Sequence, residues 1–415
     1  MQALGEARAW LETATISSYL AANLPLGRAY LPAASYPEMM EWALPVAASR
    51  EFRSSLEECE RTSSSAGRFL LGGLWRNFLA KYPESNQLHK LMIEVSRRWH
   101  EADRAGSTGK AAQWLAEAQD HLLAGQCNDA YWHGVFGGLY APHLRSGVER
   151  RLIQAETCLD RIESASGKPE VSLESRDFDC DGQKELLIEH PAFGMVVRPA
   201  DGGTASSLRF KPADVELINS LARRAEAYHE QVRRGTKPPA ETSAAGPASI
   251  HDRVASKELN LGSFLRYDRY LRRAFRTFIF PAGKTAEDYA ALALDEDPAL
   301  AGGAWRLGTS PETGGFAARQ AARASGIEQI GFELEIETVL SKGGKKLALQ
   351  AVKTLSASAP GGRWRLECTC QFTMDTPAPM LATGLELVFN LLAPNAPDRH
   401  FLARTEAGEV RHPLE

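Results

Sequence analysis

The chain has no long apolar run and few cysteines, and these two features argue against a membrane-spanning protein and against a disulfide-rich secreted one. No segment of the 415 residues approaches the eighteen or so consecutive apolar residues of a membrane span, so no membrane partner is expected. The first twenty residues, with Glu6 ahead of Arg8, lack the apolar core of a secretory signal. The six cysteines contain no CxxC motif and no dense framework, which favours reduced thiols in a cytoplasm.

The chain also lacks a large excess of either charge. Its formal net charge is −4, with 24% charged and 44% hydrophobic residues, which is ordinary for a soluble globular protein. The locally basic stretch 266–276 is interrupted by Asp268, so we expect no nucleic-acid partner. The length is enough for two or three domains.

The first part of the chain, residues 1–163, has helical periodicity. A short helix is predicted to begin at Pro37 and end before Pro45. Apolar residues then recur at helical spacing in three stretches, which predicts an antiparallel helical bundle. The three stripes are Leu88, Leu91, Met92, Val95 and Trp99; Trp114, Leu115, Ala118 and Leu122; and Leu144, Val148, Leu152, Ala155 and Leu159. A further helix is expected over 215–230.

The second part, residues 168–415, changes to a period of two. Apolar and polar residues alternate over 332–340 and 364–372, as in strands with one face on a core and the other in water. Cys368 and Cys370 are expected on the core face as small apolar side chains rather than as a bridge. More strands are predicted at 185–189, 195–198, 346–354 and 385–391, and loops at 235–249 and 297–324. The predicted architecture is α+β, with the bundle followed by an antiparallel β-sandwich.

One acidic loop has the composition of a calcium site. Residues 177–185 read DFDCDGQKE, with acidic side chains at positions 1, 3, 5 and 9 and glycine at position 6. The candidate metal ligands are Asp177, Asp179, Asp181 and Glu185. Position 12 is not a glutamate, so the pattern resembles the calcium loops of β-hairpins rather than an EF-hand. A plain turn, in which the aspartates bind their own backbone, fits the same residues.

The densest group of chemically useful side chains lies at 126–138, QCNDAYWHGVFGG. Read as a short helix, it places Asp129, Trp132, His133 and Phe136 on one face, with Asn128 as the N-cap and two glycines as the stop. A carboxylate beside an indole suits a sugar, because hydroxyls donate to the carboxylate while the ring covers C–H groups. The same spacing also fits a core helix whose tryptophan packs and whose aspartate caps.

The order of the motifs resembles glycoside hydrolase family 57, the retaining α-glucan enzymes that include α-amylases and 4-α-glucanotransferases. QCNDAYWHGVFGGLYAPHLR, residues 126–145, is similar to the fifth signature region of that family. The resemblance extends to the stretches at 27–45, 74–92, 177–187, 250–259 and, more loosely, 392–401. It implies a C-terminal β-sandwich of the mutarotase-like type and an α-glucan or maltooligosaccharide as ligand.

The resemblance also implies roles for individual residues. Asp129 would bind a sugar hydroxyl or orient the catalytic carboxylates, and Trp132 would be a stacking platform. Asn128, Tyr131 and His133 would be supporting groups. Tyr30, Tyr36 and Trp42 would lie beside the cleft, where they stack on sugar or pack the bundle.

The family's catalytic Glu and Asp lie on a barrel that precedes the stretch beginning at Gly27. Only 26 residues stand ahead of Gly27 here, far fewer than the roughly 200 or more of such a barrel. The expectation is therefore a C-terminal portion with no catalytic residue of its own, inactive alone. Three hypotheses follow: the accessory part of an α-1,4-glucan enzyme, a carbohydrate-binding or interaction module, and either a split subunit that pairs with a separately encoded barrel or a truncated gene product. A bundle and a sandwich that evolved against a barrel would leave Tyr30, Leu31, Tyr36, Trp132 and Phe136 on a docking surface.

Overall fold

A computed structural model gives the fold over most of the chain. It describes residues 2–31, 35, 37–70, 72–133, 137–168, 171–234, 261–308, 329–342, 345–358, 364–375, 380–390, 400–405 and 408–413. The N-terminal part is helical and the C-terminal part forms antiparallel sheets, so the predicted α+β class is confirmed. The predicted loop 235–249 lies outside the described residues, as does 309–324 of the second predicted loop. The rest of that second loop, 297–308, was predicted wrongly, because it contains a helical turn at Pro298–Ala301 and a short strand at Arg306–Leu307.

The helices cluster in the first 165 residues. Within the described ranges they are α1 Gln2–Glu6, α2 Ile16–Ala22, α3 Pro37–Ala43, α4 Val46–Arg61, α5 Trp75–Lys81, α6 Pro83–Ala105, α7 Lys110–Gly125, α8 Pro142–Ala165, α9 His229–Arg234, α10 Ala286–Ala290 and α11 Pro298–Ala301. In this part of the chain, each helix is too short or too polar to cross a lipid bilayer.

The strands follow the long helices. Those described are β1 Ser172–Arg176, β2 Glu185–Glu189, β3 Phe193–Arg198, β4 Thr204–Phe210, β5 Val215–Glu216, β6 Arg276–Pro281, β7 Arg306–Leu307, β8 Gln329–Lys342, β9 Lys345–Ser358, β10 Arg365–Met374, β11 Leu381–Glu386, β12 His400–Thr405 and β13 Gly408–Pro413. The larger sheets have the orders β1-β2-β3-β4-β5 and β10-β9-β8-β7, and β6 pairs with β11. All these pairings are antiparallel.

Helices α6, α7 and α8 pack on one apolar core, as their periodicity predicted. Leu91, Leu122 and Leu152 are buried in it, one from each helix. Gly125 at the end of α7 allows a close approach to α8, because a Cβ there would lie 2.6 Å from a Leu152 methyl group. The predicted helix that begins at Pro37 is also confirmed as α3.

The β1–β5 sheet is covered on both faces. Successive residues of a strand point to opposite sides, so Leu186 and Ile188 enter the core shared with the β7–β10 sheet while Leu187 enters the helical core. This explains why β2 reads as a continuous apolar run rather than an alternating one. The alternation predicted at 332–340 is confirmed by burial of Phe332 and Leu334 in β8.

Two further predictions of secondary structure are wrong in the C-terminal part of the chain. The helix expected over 215–230 is absent: β5 occupies 215–216, and regular helix begins again only at His229. The backbone N–H groups of Ala222 and Arg223 donate instead to Glu84 and Asp268, at 3.0 and 2.7 Å, far from their own turn of chain. The strand expected at 385–391 coincides with β11 only at 385–386.

The six cysteines carry free thiols. Cys368 and Cys370 lie half-buried on the same side of β10, and Cys368 packs against the core shared by the two sheets. Both therefore occupy the face that the period-two alternation predicted for small apolar side chains.

Candidate functional site

The signature stretch folds as a tight turn rather than as the predicted short helix. A 3-10 helix covers only Asn128–Tyr131, and Trp132 is extended, with φ −146° and ψ −177°. The chain reverses at Gly138, whose φ is +48° and where a Cβ would lie 2.2 Å from the Trp132 carbonyl oxygen. The predicted single face of four side chains is therefore wrong, and Phe136 lies outside the described residues.

The beginning of this turn faces solvent. Asn128 and Asp129 are both exposed, and the Asn128 amide approaches the Asp129 carboxylate at 3.5 Å. Cys127, not Asn128, occupies the N-cap position. An exposed carboxylate beside an amide is an arrangement that sugar hydroxyls can bind, and the role of both residues stays a prediction.

Two other predicted site residues have different placements. Tyr131 is only 2% exposed, and its hydroxyl donates to the Gly125 carbonyl oxygen at 2.5 Å. It packs in the core of α6–α8, so its aromatic ring joins the helices to the turn. Tyr36 lies outside the described residues.

Trp132 is half-buried and pairs with Trp42 of α3. The two ring centroids are 5.1 Å apart, with the planes tilted by 48°. The Trp132 carbonyl accepts a hydrogen bond from Leu139 N at 2.7 Å, which fixes the backbone of the turn. The pair brings the predicted cleft-side helix and the signature turn together.

His133 points inward to a buried polar cluster. The imidazole is 7% exposed, and its Nε2 lies 2.8 Å from the Tyr82 hydroxyl. That hydroxyl donates to Glu226 Oε1 at 2.6 Å, and the Tyr140 hydroxyl donates to the same oxygen at 2.6 Å. Lys81 Nζ donates to Glu226 Oε2 at 3.2 Å. We call these five residues the Glu226 cluster.

Burial and hydrogen bonding set the charge states within the Glu226 cluster. Burial lowers the pKa of His133 to about 4, although the nearby Glu226 carboxylate opposes the change. Burial alone would raise the pKa of Glu226, but hydrogen bonds from Tyr140 and Tyr82 and the charge of Lys81 outweigh it, and the pKa lies below its ordinary value. At neutral pH the cluster therefore holds a neutral imidazole and an ionised carboxylate.

Sequence reasoning missed most of the Glu226 cluster. Tyr82 lies at the junction of α5 and α6, and Glu226 lies 144 positions later in a segment wrongly predicted as helix. Neither residue has a local motif around it. The one available signal was that His133 and Tyr140 flank the glycines of the signature stretch.

The acidic loop 177–185 connects β1 and β2, so its predicted position in a β-hairpin is confirmed. Carboxylate oxygens of Asp177, Asp179 and Glu185 lie within 4.8 Å of one another. This separation suits oxygens around calcium, whose bonds to oxygen are about 2.3–2.6 Å. Asp181 is not among these three: its Oδ1 accepts from Gln183 N at 2.7 Å.

A guanidinium lies beside the same carboxylates. Arg198 Nη1 is 2.7 Å from Asp179 Oδ2 and 3.0 Å from Glu185 Oε1. Burial raises the pKa of Glu185, and Arg198 opposes that change. Asp179 is 4% exposed, and its Oδ1 has no hydrogen-bond partner within the described part of the chain. Three neighbouring carboxylates with one unpartnered oxygen fit a cation, although Arg198 already pairs with Asp179 Oδ2 and Glu185 Oε1.

Comparison with known proteins places this fold and turn in a family. Residues 73–159 match the model of the middle domain of α-amylase/4-α-glucanotransferase, and residues 177–414 match the model of its C-terminal domain. The chain therefore belongs to the α-amylase/4-α-glucanotransferase family, which is glycoside hydrolase family 57.

Individual relatives agree with this family. The chain is 34% identical to alpha-amylase 1 of Dictyoglomus thermophilum over 402 residues, which are 96% of this chain and 51% of the relative. It is 37% identical to a 4-alpha-glucanotransferase of Thermococcus litoralis over 68% of this chain and 39% of that protein. The crystal structure of 4-alpha-glucanotransferase from Thermococcus litoralis superposes with a TM-score of 0.65 at 26% identity, over 94% of this chain and 50% of that one. The chain thus spans about half the length of these relatives.

Proposed function

We propose that this chain contributes the rim of the sugar-binding cleft of an enzyme that acts on α-1,4-glucans. The observation that supports this most is that family matches cover both the helical part and the sheets, in relatives named for action on α-glucans. The proposal gives the chain no catalytic carboxylate, and assigns the reaction to the portion of the relatives that it does not span.

In the proposed rim, Trp132 is the platform against which a glucosyl ring stacks. Trp42 packs against it, with the two ring centroids 5.1 Å apart. The exposed Asp129 and Asn128 lie at the beginning of the same turn, where they would bind sugar hydroxyls. His133 acts through its position rather than by contact. Its neutral ring is held by Tyr82, and the backbone that carries Trp132 is thereby fixed against the Glu226 cluster.

The domain division at 1–163 and 168–415 belongs to the same proposal. The helices α6–α8 would form the predicted antiparallel bundle, and the two larger sheets the mutarotase-like sandwich. A shared core containing residues of β2, β3, β8 and β9 supports the sandwich. We also propose that the 177–185 hairpin holds Ca²⁺ through Asp177, Asp179 and Glu185.

A catalytic barrel is the proposed partner. Tyr30 and Leu31 are 87% and 86% exposed, and Leu24 and Leu26 before them are also exposed. Apolar side chains of this size at one segment are typical of a surface that another domain covers. Segment 24–31 therefore supports a docking surface for the barrel, whether the barrel belongs to the same polypeptide or to a separate one.

Activity assays on amylose test the proposed function. The purified chain should release no reducing sugar and redistribute no maltooligosaccharide, because retaining glycosidases need two carboxyl groups about 5 Å apart at the scissile bond. Addition of a separately expressed family 57 barrel should produce activity. Trp132→Ala should raise KM by about tenfold through loss of one aromatic contact, while Trp132→Phe should retain most of the binding.

The matched control is Phe69→Ala, which removes an exposed ring outside the rim and should leave KM unchanged. Hydrolysis by the purified chain alone would overturn the proposal. So would an active mixture whose KM is the same with Trp132→Ala as with the unaltered chain.

A further inference from the structure

A cavity lies in the C-terminal part of the chain, away from the signature turn. Its volume is about 240 Å³, and it is formed by segment 267–272, by β6, by α10 with the turn that follows it, and by β11. The ligand pockets of proteins commonly measure about 300 to 1,000 Å³, so this one has room for a single ring rather than for an extended chain.

Aromatic rings form one wall and the floor of this cavity. Phe278 is 6% exposed at its base, with its centroid 6.2 Å from Tyr270 and 6.4 Å from Tyr289. Both tyrosines are only partly buried. Each is backed by a guanidinium: Arg276 lies 4.8 Å from the Tyr270 ring centroid, and Arg272 lies 5.8 Å from that of Tyr289. The rings are therefore fixed before any ligand arrives.

Charged groups on the cavity wall are paired with one another. Glu386 Oε1 accepts from Arg272 Nη1 at 2.8 Å and from the Tyr289 hydroxyl. Arg272 Nη2 lies 2.9 Å from Asp268 Oδ1, and Arg269 lies 2.8 Å from Glu296. Asp268 is also paired with Arg223, at 2.6 Å, so three carboxylates oppose three guanidiniums. The wall offers hydrogen-bond donors and acceptors side by side, with almost no net charge.

One polar group in the cavity is incompletely satisfied. The hydroxyl oxygen of Tyr270 is buried and has no hydrogen bond of good geometry within the part of the chain that the structure describes, although the Arg269 guanidinium interacts with it. Buried hydroxyls are nearly always hydrogen-bonded, so this one indicates a group that completes the wall.

We propose that this cavity binds one neutral pyranose ring, as the terminal glucosyl unit of an α-glucan. The inference rests on the proposed function for the identity of the sugar. A pyranose has an apolar C–H face for an aromatic ring and hydroxyls that both donate and accept, which is what Tyr289 and the Asp268–Arg272–Glu386 group present together. A phosphate or sulfate ester is disfavoured as the ligand, because each guanidinium on the wall is already paired with a carboxylate.

This glucosyl cavity is separate from the signature turn, yet hydrogen bonds connect the two. Tyr267 lies on the rim of the cavity, and its hydroxyl is 3.2 Å from His229 Nδ1. His229 Nδ1 in turn accepts from Glu226 N at 3.2 Å. A glucan chain held in the cavity would therefore be anchored to the same framework that positions the cleft rim.

Titration calorimetry with maltose on the complete chain tests this inference. Tyr289→Ala should weaken binding at one of two sites by about tenfold, as truncation of a buried aromatic anchor does. Tyr289→Phe keeps the ring and should retain most of the affinity. Phe264→Ala removes an exposed ring from the neighbouring segment, is not part of the cavity wall, and is the matched control.

The variants separate this inference from the proposed function. Loss of one site in Tyr289→Ala together with loss of the other in Trp132→Ala supports both. If only Trp132→Ala weakens maltose binding, the cavity proposal is overturned and the cleft-rim proposal stands. If only Tyr289→Ala weakens it, the cleft-rim proposal is overturned and the cavity proposal stands. No heat from maltose with the unaltered chain, or tighter binding of glucose 6-phosphate than of maltose, overturns the cavity proposal.

Discussion

Two buried acidic clusters of this molecule have opposite balances between carboxylates and donors. In the Glu226 cluster one carboxylate receives hydrogen bonds from two tyrosine hydroxyls and an ammonium group. In the 177–185 hairpin, Asp179 and Glu185 share the guanidinium of Arg198, while backbone N–H groups of the loop donate to Asp177 and to Glu185 Oε2. The first is saturated by the protein itself, whereas the second retains an oxygen without a partner. The saturated carboxylate fits a structural junction, and the oxygen without a partner is what motivates the calcium proposal.

The largest effect on stability should follow from removing the central carboxylate of the Glu226 cluster. Glu226→Ala leaves two tyrosine hydroxyls and Lys81 without their acceptor in a buried site, and should lower the free energy of unfolding by about 3 to 5 kcal/mol. Urea denaturation measures it. Glu57→Ala, on the exposed side of α4, is the control and should change stability by less than about 0.5 kcal/mol. A Glu226 variant as stable as this control would mean that the Glu226 cluster does not contribute to the stability of the fold.

The clusters also differ in how far the sequence could predict them. The 177–185 loop is local, so its acidic spacing indicated the hairpin and the carboxylates that come together in it, although Asp181 lies outside the group of three. The helices α6–α8 and strand β8 were predictable for a similar reason, since one buried face repeats along one element.

The Glu226 cluster could not be predicted from local patterns. Its partners come from α5, the beginning of α6, the signature turn and the irregular segment 217–228, and only the tertiary fold brings them together. The turn was mispredicted for a related reason. Asp129 and His133 are compatible with a helix, but Gly138 takes a left-handed conformation directly against Trp132, and that contact ends the helical geometry.

A somewhat smaller effect should appear as pH dependence of the saturated cluster. His133 has a folded-state pKa of about 4, lowered by burial, against about 6.5 when unfolded. Below pH 6.5 the unfolded state binds the proton more readily, so stability falls as the pH decreases from 6.5 to 4 and no longer changes through this residue below 4. The total loss is about 3 kcal/mol. Glu226, whose pKa is lowered, adds a further loss only below its ordinary pKa of 4.5.

Denaturation of His133→Gln across this range isolates the histidine. The variant should lose about 3 kcal/mol of the decline below pH 6.5, while His89 and His229, whose pKa values burial also lowers, keep the remainder. His100→Gln removes an exposed imidazole from α6 and should keep the wild-type profile. Identical profiles for all three proteins would show that His133 does not titrate as its burial requires.

The smallest effect on stability is expected at the 177–185 hairpin, and it depends on the calcium concentration of the solution. Calcium at ten times its Kd should add about 1.4 kcal/mol to stability by mass action. For a chain of 415 residues, with an unfolding entropy of about 2.1 cal/mol/K per residue, this raises Tm by about 2 °C. Asp179→Asn removes the charge at the partnerless oxygen and should abolish the difference between melting curves in calcium and in chelator. Asp181→Asn should preserve that difference, because its carboxylate binds Gln183 N. The difference between the two conditions is the informative quantity, since Asp179→Asn also weakens the pairing of Arg198 in both. Equal curves for the unaltered chain would favour a plain turn whose aspartates bind their own backbone.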